Sequence, residues 1–170
     1  MKPALRILLA EDNADDVFLL TRALKRIEWA PSFHVVCDGV EAVAYLEGSG
    51  DYHDREHHPF PDILLLDLNM PRRNGFEVLE WIRRDSPCRD LLVHVLSASA
   101  RPADVKRAYD LNANSYVVKP TLMDELVAFV SALRAWHEFV VFAPAAAEQN
   151  SGAVLPGLRS SDSSYESRER

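Results

Sequence analysis

The sequence predicts an α/β fold in which helices cover both faces of a parallel β-sheet. Short, nearly continuous apolar runs have the length and composition of strands that are buried on both faces. They lie at residues 7–10, 63–66, 92–96 and 116–118. Segments with apolar residues at helical spacing separate them, as in the series Val17, Leu20, Leu24 and Ile27. This alternation favours a parallel sheet, because each parallel strand needs a crossover connection to reach the next one.

The predicted elements follow one another in a regular order. Strands are predicted at residues 7–10, 33–37, 62–67, 92–97 and 115–119. Helices are predicted after Asn13 and at residues 39–47, 75–85, 102–111 and 122–142, and a polar, flexible loop at 48–61. Asn13 is typical of a helix N-cap. Asp38-Gly39 indicates a turn between the second strand and the second helix. The order fits a doubly wound, flavodoxin-like sheet of five strands, arranged 2-1-3-4-5, with five helices.

Composition narrows the class of protein. The formal net charge is −7 and Lys and Arg form no cluster, which argues against nucleic acid as a partner. The N-terminus has no apolar signal region, and no run approaches the ~18 residues of a membrane span. The two cysteines, Cys37 and Cys88, lack metal-ligand spacing and are expected to be reduced thiols. We therefore expect a cytoplasmic protein that binds no membrane.

The chain divides into a domain at residues 1–142 and a tail at 143–170. The tail contains six serines and no long apolar run, so we expect it to be disordered or loosely attached. The last helix of the domain is apolar beyond a single stripe, because Phe139, Val141 and Phe142 extend its apolar surface. This surplus predicts a homodimer through the last helix, although residues 139–142 could instead fold back onto their own domain.

Polar side chains follow four of the predicted strands at their carboxyl ends. They are Glu11, Asp12, Asp67, Ser97 and Lys119. In open α/β sheets ligands bind outside this edge, so we expect these side chains to share one site. Three crowded carboxylates repel one another unless a cation lies among them, and oxygen ligands suit Mg²⁺. The predicted metal site has Asp12 and Asp67 as direct ligands, Glu11 acting through water, and a backbone carbonyl from Asn69.

Such a site suits phosphoryl transfer. Asp67 as a nucleophile would form an acyl phosphate, while Mg²⁺ and Lys119 neutralise the charge of the transferring group and Ser97 offers a hydroxyl. Three other functions use this fold, and the residues of this chain argue against each of them. A dehalogenase-type phosphohydrolase needs a second aspartate at the position of Asn69, and a flavin carrier needs a Ser/Thr/Gly-rich loop where this chain has acidic residues. A module that only binds protein would be expected to lack Asp67 or Lys119.

The motifs at residues 8–13, 64–75, 96–98 and 118–120 resemble the receiver domain of two-component response regulators, over roughly residues 5–135. The resemblance implies a signalling protein with slow self-dephosphorylation rather than an enzyme. It also implies that a histidine kinase phosphorylates Asp67, and that Lys119 contacts the phosphoryl group ahead of a cis Pro120. Ser97 would then move towards the phosphoryl group and the ring of Tyr116 would swing inward. The sparsely apolar helix at 102–111 would shift with them.

Further details resemble the small regulators that are partnered with bacterial phytochromes. They include the segment at 10–17, the long loop before the third strand, residues 68–73 and the aromatic-rich last helix. This resemblance implies a bacteriophytochrome as the kinase. Two residues depart from the common receiver pattern: Glu11 replaces an aspartate, and Asn112 replaces a glycine in a turn that asparagine also tolerates. Whether the protein is an output regulator, a phosphate sink or a relay to a histidine phosphotransfer protein is left open.

Overall fold

Five parallel strands form the central sheet in the order β2-β1-β3-β4-β5. The computed structural model describes residues 3–142. The strands are β1 (Arg6–Ala10), β2 (Ser32–Val36), β3 (Ile63–Leu66), β4 (Leu92–Ser97) and β5 (Ser115–Val118). This confirms the predicted fold class and strand order. Asp67 lies one residue beyond β3 rather than at its end, which places its side chain at the carboxyl edge of the sheet.

Helices cover both faces of the sheet and enclose two hydrophobic cores. They are α1 (Ala14–Arg26), α2 (Gly39–Glu47), α3 (Gly75–Arg84), α4 (Pro102–Asp110) and α5 (Met123–Phe139). Alternate strand residues supply the two cores, since successive side chains point to opposite faces. Ile63 and Leu65 pack with residues of α1 and α5, whereas Leu64 and Leu66 pack with residues of α2 and α3. Because both faces of the sheet are covered, the central strand β3 is apolar and buried at every position.

Local capping explains where several helices begin and end. The Asn13 side chain accepts hydrogen bonds from the backbone N–H groups of Asp15 and Asp16, so the predicted N-cap is confirmed. The Asp38 carboxylate caps α2 in the same way. Asn112 adopts the left-handed conformation with φ of 60°, as its tolerance for that region predicts.

The loop at residues 48–61 is attached to α2 through Arg55, while its polar residues Ser49, Asp51, His53, Glu56 and His57 are exposed to solvent, as predicted; its flexibility stays a prediction. It contains a short 3₁₀ turn at Gly50–Tyr52. The Arg55 guanidinium donates to the carbonyl oxygens of Tyr45 and Leu46, each at 2.8 Å. These carbonyls lie in the last turn of α2, where backbone N–H partners are few, although the Gly48 N–H also donates to the Tyr45 carbonyl at 3.2 Å. Arg55 therefore supplements the backbone cap of α2 and attaches the loop to the helix.

The last helix ends at Phe139, three residues before the predicted boundary at 142. Val140 adopts an extended conformation, and the Phe142 ring returns to lie 5.8 Å from the ring centroid of Trp136. β-Branched residues at 140 and 141 disfavour continuation of the helix. Phe142 therefore folds back onto its own domain, while Phe139 and Val141 remain 87% and 95% exposed.

The prediction for the tail concerns residues 143–170, which lie outside the described residues. Within residues 3–142, no helix is both long enough and apolar enough to cross a bilayer.

Candidate functional site

The carboxyl ends of β1 and β3 bring three carboxylates together. The two strands are neighbours in the sheet, and the Asp67 N–H donates to the Ala10 carbonyl at 3.0 Å. One oxygen each from Glu11, Asp12 and Asp67 lies within 4.8 Å of the others. Glu11 and Asp67 are buried, whereas Asp12 is exposed. In the part of the chain that the structure describes, this is the single group of three potential ligands of this kind.

Lys119 neutralises part of this negative charge. It follows β5, and its backbone N–H donates to the Ser97 carbonyl at 2.8 Å. Its Nζ lies 2.6 Å from Glu11 Oε2, 2.8 Å from Asp16 Oδ2 and 3.6 Å from Asp67 Oδ2. Sequence reasoning placed Lys119 here correctly but missed Asp16. The available signal was its position in the first turn of a helix that begins directly at the site.

Burial controls the protonation of these groups. Desolvation raises the pKa of Glu11, although the hydrogen bond from Lys119 opposes the shift. Desolvation likewise raises the pKa of Asp67, against the Lys119 charge and the backbone N–H groups of Leu68 and Asn69. For Lys119 burial alone would lower the pKa, but hydrogen bonds to Asp16 and Glu11 outweigh it, so the pKa is raised. Ionised carboxylates are therefore held at a cost that a bound cation would offset.

Ser97 and Tyr116 lie on β4 and β5, the two strands on the Lys119 side of the site. Ser97 ends β4 and is fully buried, and its Oγ accepts a hydrogen bond from the Ser99 N–H at 3.2 Å. The Tyr116 ring packs against the core on the α2–α3 face, and its hydroxyl donates to the Ser99 carbonyl at 2.8 Å. The Tyr116 N–H donates to the Tyr109 hydroxyl on α4 at 3.2 Å. In this structure the Tyr116 ring is thus already turned inward and tied to the β4–α4 loop and to α4.

The expectation of a cis bond before Pro120 is wrong for this structure. No cis peptide bond occurs among residues 3–142, so the Lys119–Pro120 bond is trans. The trans form is the more stable isomer even before proline, by ~0.5–1 kcal/mol. Asn69, the predicted backbone ligand, is exposed, and its N–H group acts to lower the pKa of Asp67. Its role as a metal ligand stays a prediction.

A close backbone approach holds the loop after Asp67 in place. A Cβ on Gly75 would lie 2.2 Å from the Asp67 carbonyl oxygen, so α3 can begin here only with glycine. The loop is also tied to α2, because the Arg72 guanidinium forms an ion pair with Asp38. The loop between Asp67 and α3 is therefore held by the close backbone approach at Gly75 and by the ion pair of Arg72.

The sheet order and the carboxylate–lysine group define the class of protein. The profile of the response regulator receiver domain matches residues 7–131. This chain therefore belongs to the response regulator receiver family, as its motifs predict.

Individual relatives show which receiver proteins are similar to this chain. Response regulator Rcp1 of Synechocystis sp. is 34% identical over 140 residues, which is 82% of this chain and 93% of Rcp1. A crystal structure of Rcp1 in its Mn²⁺-bound form has a TM-score of 0.71 and 33% identity, and the match covers 82% of this chain and 99% of that chain.

Two further solved structures come from light-signalling regulators. The phosphorylated cyanobacterial phytochrome response regulator RcpA has a TM-score of 0.73 and 34% identity, covering 83% of this chain and 99% of that chain. RPA3017, a response regulator in red light signalling of R. palustris, has a TM-score of 0.74 and 34% identity, covering 82% and 96%. These relatives confirm the predicted resemblance to phytochrome-associated regulators.

Proposed function

We propose that this protein accepts a phosphoryl group on Asp67 from a partner histidine kinase, in a Mg²⁺-dependent reaction, and signals through a protein surface. The observation that carries the proposal is the group formed by Asp67, Glu11, Asp12 and Lys119 at one edge of the sheet. The donor set consists of carboxylates, which Mg²⁺ prefers, and two of them are buried. Asp12 and Asp67 would hold the ion directly, with Glu11 behind a bound water.

The chain's own residues account for the transfer step. A carboxylate oxygen of Asp67 attacks the phosphorus, a new O–P bond forms, and the N–P bond to the kinase histidine breaks, returning its electron pair to the imidazole. Lys119, 3.6 Å from Asp67, is placed to neutralise charge on the phosphoryl oxygens. The metal ion, when bound, supplies further positive charge to the same oxygens. The product is an acyl phosphate that water removes slowly, so the protein is a signalling component rather than an enzyme.

Transmission of the signal would use the contacts around Ser97 and Tyr116. Ser97 and Lys119 are joined through the backbone, and Tyr116 connects the Ser99 carbonyl with Tyr109 on α4. A displacement of Ser97 towards the phosphoryl group would therefore be passed to the loop after β4 and to α4. The contacts are equally compatible with output control, a phosphate sink and a relay to a histidine phosphotransfer protein.

The kinase partner that we propose is a bacteriophytochrome. The support is the similarity to regulators whose names place them in phytochrome and red light pathways. A direct test is phosphotransfer from an autophosphorylated bacteriophytochrome kinase, compared with transfer from an unrelated histidine kinase.

The first test of the phospho-acceptor function is the intact mass of the protein after incubation with acetyl phosphate. We expect one phosphoryl adduct with Mg²⁺ present, because the ion offsets the repulsion among three carboxylates and the incoming phosphate. Removing Mg²⁺ with a chelator should abolish the adduct. A wild-type protein that gains no adduct in Mg²⁺ would overturn the proposal and leave a phosphorylation-independent binding module.

We also propose a homodimer through the far end of α5. Its support is the exposure of Phe139 and Val141, which form an apolar surface beside the folded-back Phe142. Replacing Phe139 with Ser should shift sedimentation from dimer towards monomer, with at least a tenfold weaker association, if the ring is central to the interface. The matched control is Phe18→Ser on α1, whose ring is also exposed. Sedimentation of the wild type as a monomer would contradict the dimer, and equal sedimentation of Phe139→Ser and Phe18→Ser would contradict an interface at the far end of α5.

A further inference from the structure

The ammonium group of Lys119 has three N–H donors, and the structure accounts for two of them. Glu11 Oε2 lies at 2.6 Å and Asp16 Oδ2 at 2.8 Å, both within hydrogen-bond range. Asp67 Oδ2 is the third nearby carboxylate oxygen, but at 3.6 Å it is too far for a direct hydrogen bond. A third donor therefore remains on the side of Asp67, separated from its carboxylate by a short gap.

Asp16 lies on a helix, whereas the other carboxylates near Lys119 directly follow strands of the sheet. It lies in the first turn of α1, which the Asn13 cap fixes by accepting from the N–H groups of Asp15 and Asp16 at 2.9 and 3.4 Å. Asp16 does not belong to the group of three potential metal ligands, which consists of Glu11, Asp12 and Asp67. Its hydrogen bond to Lys119 can therefore persist when a cation binds, whereas Glu11 also faces the cation.

We infer that Asp16 is a positioning residue that, together with Glu11, orients the Lys119 ammonium so that its third N–H faces a phosphoryl group on Asp67. A phosphoryl group extends beyond the carboxylate and would bring its oxygens into the gap that now separates Asp67 from Lys119. Asp16 touches neither the phosphoryl group nor the metal and acts only through Lys119. The inference rests on the proposed phosphorylation of Asp67.

The fold supplies a matched control for the charge of Asp16. Asp15 is the adjacent aspartate in the same first turn of α1, where an acidic side chain favours the helix, but it is exposed. The described contacts of Lys119 Nζ include Glu11, Asp16 and Asp67, and Asp15 is not among them. Asp15→Asn therefore removes the same charge from the same helix turn and leaves the lysine in place.

The first experiment compares Asp16→Asn, Asp16→Glu and Asp15→Asn with the wild type in acetyl phosphate and saturating Mg²⁺. We expect Asp16→Asn to slow adduct formation by about 10-fold, as is usual when a residue that orients a functional group is lost. Asp15→Asn should remain within about twofold of the wild type, and Asp16→Glu should recover part of the rate. Equal rates for Asp16→Asn and Asp15→Asn would overturn the inference.

Two further measurements distinguish positioning from a general structural effect. Affinity for beryllofluoride, a mimic of the phosphoryl group on a carboxylate, should fall about 10-fold in Asp16→Asn, while Mg²⁺ affinity measured alone by calorimetry should match that of Asp15→Asn. In a Lys119→Ala background, Asp16→Asn should have no additional effect on the phosphorylation rate, because the two residues act as a unit. An equal slowing in that background would overturn the inference. Failure of the wild type to form any adduct would instead refute the proposed function itself.

Discussion

Asp67→Asn is expected to abolish formation of the phosphoryl adduct, with a loss of at least about a thousandfold relative to the wild type. The amide oxygen of Asn is a poor nucleophile. Asp12 and Glu11 belong to the same group of oxygens, but in the proposed site they hold the cation and do not accept the phosphoryl group. Intact mass after incubation with acetyl phosphate and Mg²⁺ measures the effect.

The same substitution should not damage the fold, which separates loss of chemistry from loss of structure. Burial raises the pKa of Asp67, so the ionised carboxylate costs stability at neutral pH. The cost grows as the pH rises from 3.8, the ordinary value, through the raised value, and is complete above it. In the absence of Mg²⁺, Asp67→Asn should therefore unfold at the same temperature as the wild type or higher at neutral pH. Its stability advantage should shrink as the pH is lowered.

Two results would contradict this account. A residual adduct in Asp67→Asn that peptide mapping places on Asp12 would mean that the acceptor is not unique. A lower unfolding temperature at neutral pH would mean that the Asp67 carboxylate stabilises the fold, in which case loss of the adduct could not be assigned to chemistry alone.

Leu64→Ala is expected to lower the free energy of unfolding by about 2–5 kcal/mol. Leu64 lies at the centre of β3, is completely buried, and belongs to the core on the α2–α3 face. Shortening it removes apolar contacts and leaves a cavity that neighbouring strand residues cannot close. Urea denaturation measures the change as a lower midpoint with an unchanged slope.

The control is the same substitution on an exposed leucine. Leu122 precedes α5 and is 63% exposed, so Leu122→Ala should change the free energy of unfolding by no more than about 0.5 kcal/mol. Similar losses for the two variants would contradict the assignment of Leu64 to a closely packed core. Because β3 leads directly into Asp67, we also expect Leu64→Ala to slow phosphorylation at temperatures where it is still folded.

The site concentrates negative charge at a place that the fold cannot neutralise alone. Lys119 compensates part of the charge of Glu11 and Asp67, yet burial still raises the pKa of both carboxyl groups. A bound cation would offset the remaining repulsion, and a phosphoryl group on Asp67 would increase it again. Changes of charge in a buried position are large enough to bias nearby elements such as the β4–α4 loop.

The order of the strands and the main members of the site could be predicted from the sequence alone. Buried parallel strands are apolar over their whole length, so the polar residues that follow them mark the carboxyl edge of the sheet. Parallel strands share that edge, which is why Asp67 and Lys119 could be placed in one site although 52 residues separate them in the sequence. Helix caps such as Asn13 depend only on neighbouring residues in the sequence, so they could be predicted as well.

The interaction partners of the polar and charged side chains are defined only in the tertiary structure. Asp16 and Lys119 are 103 residues apart, and nothing in the local sequence of either distinguishes Asp16 from Asp15. The contact depends on the rotation of α1 against the sheet, which is set by packing in the core. Packing likewise brings Phe142 back onto Trp136 after α5 has ended, and hydrogen bonds attach the loop through Arg55 and hold Tyr116 inward. Periodicity specifies the buried face of an element, whereas the partner of a charged or polar side chain depends on distances that exist only after the elements have assembled.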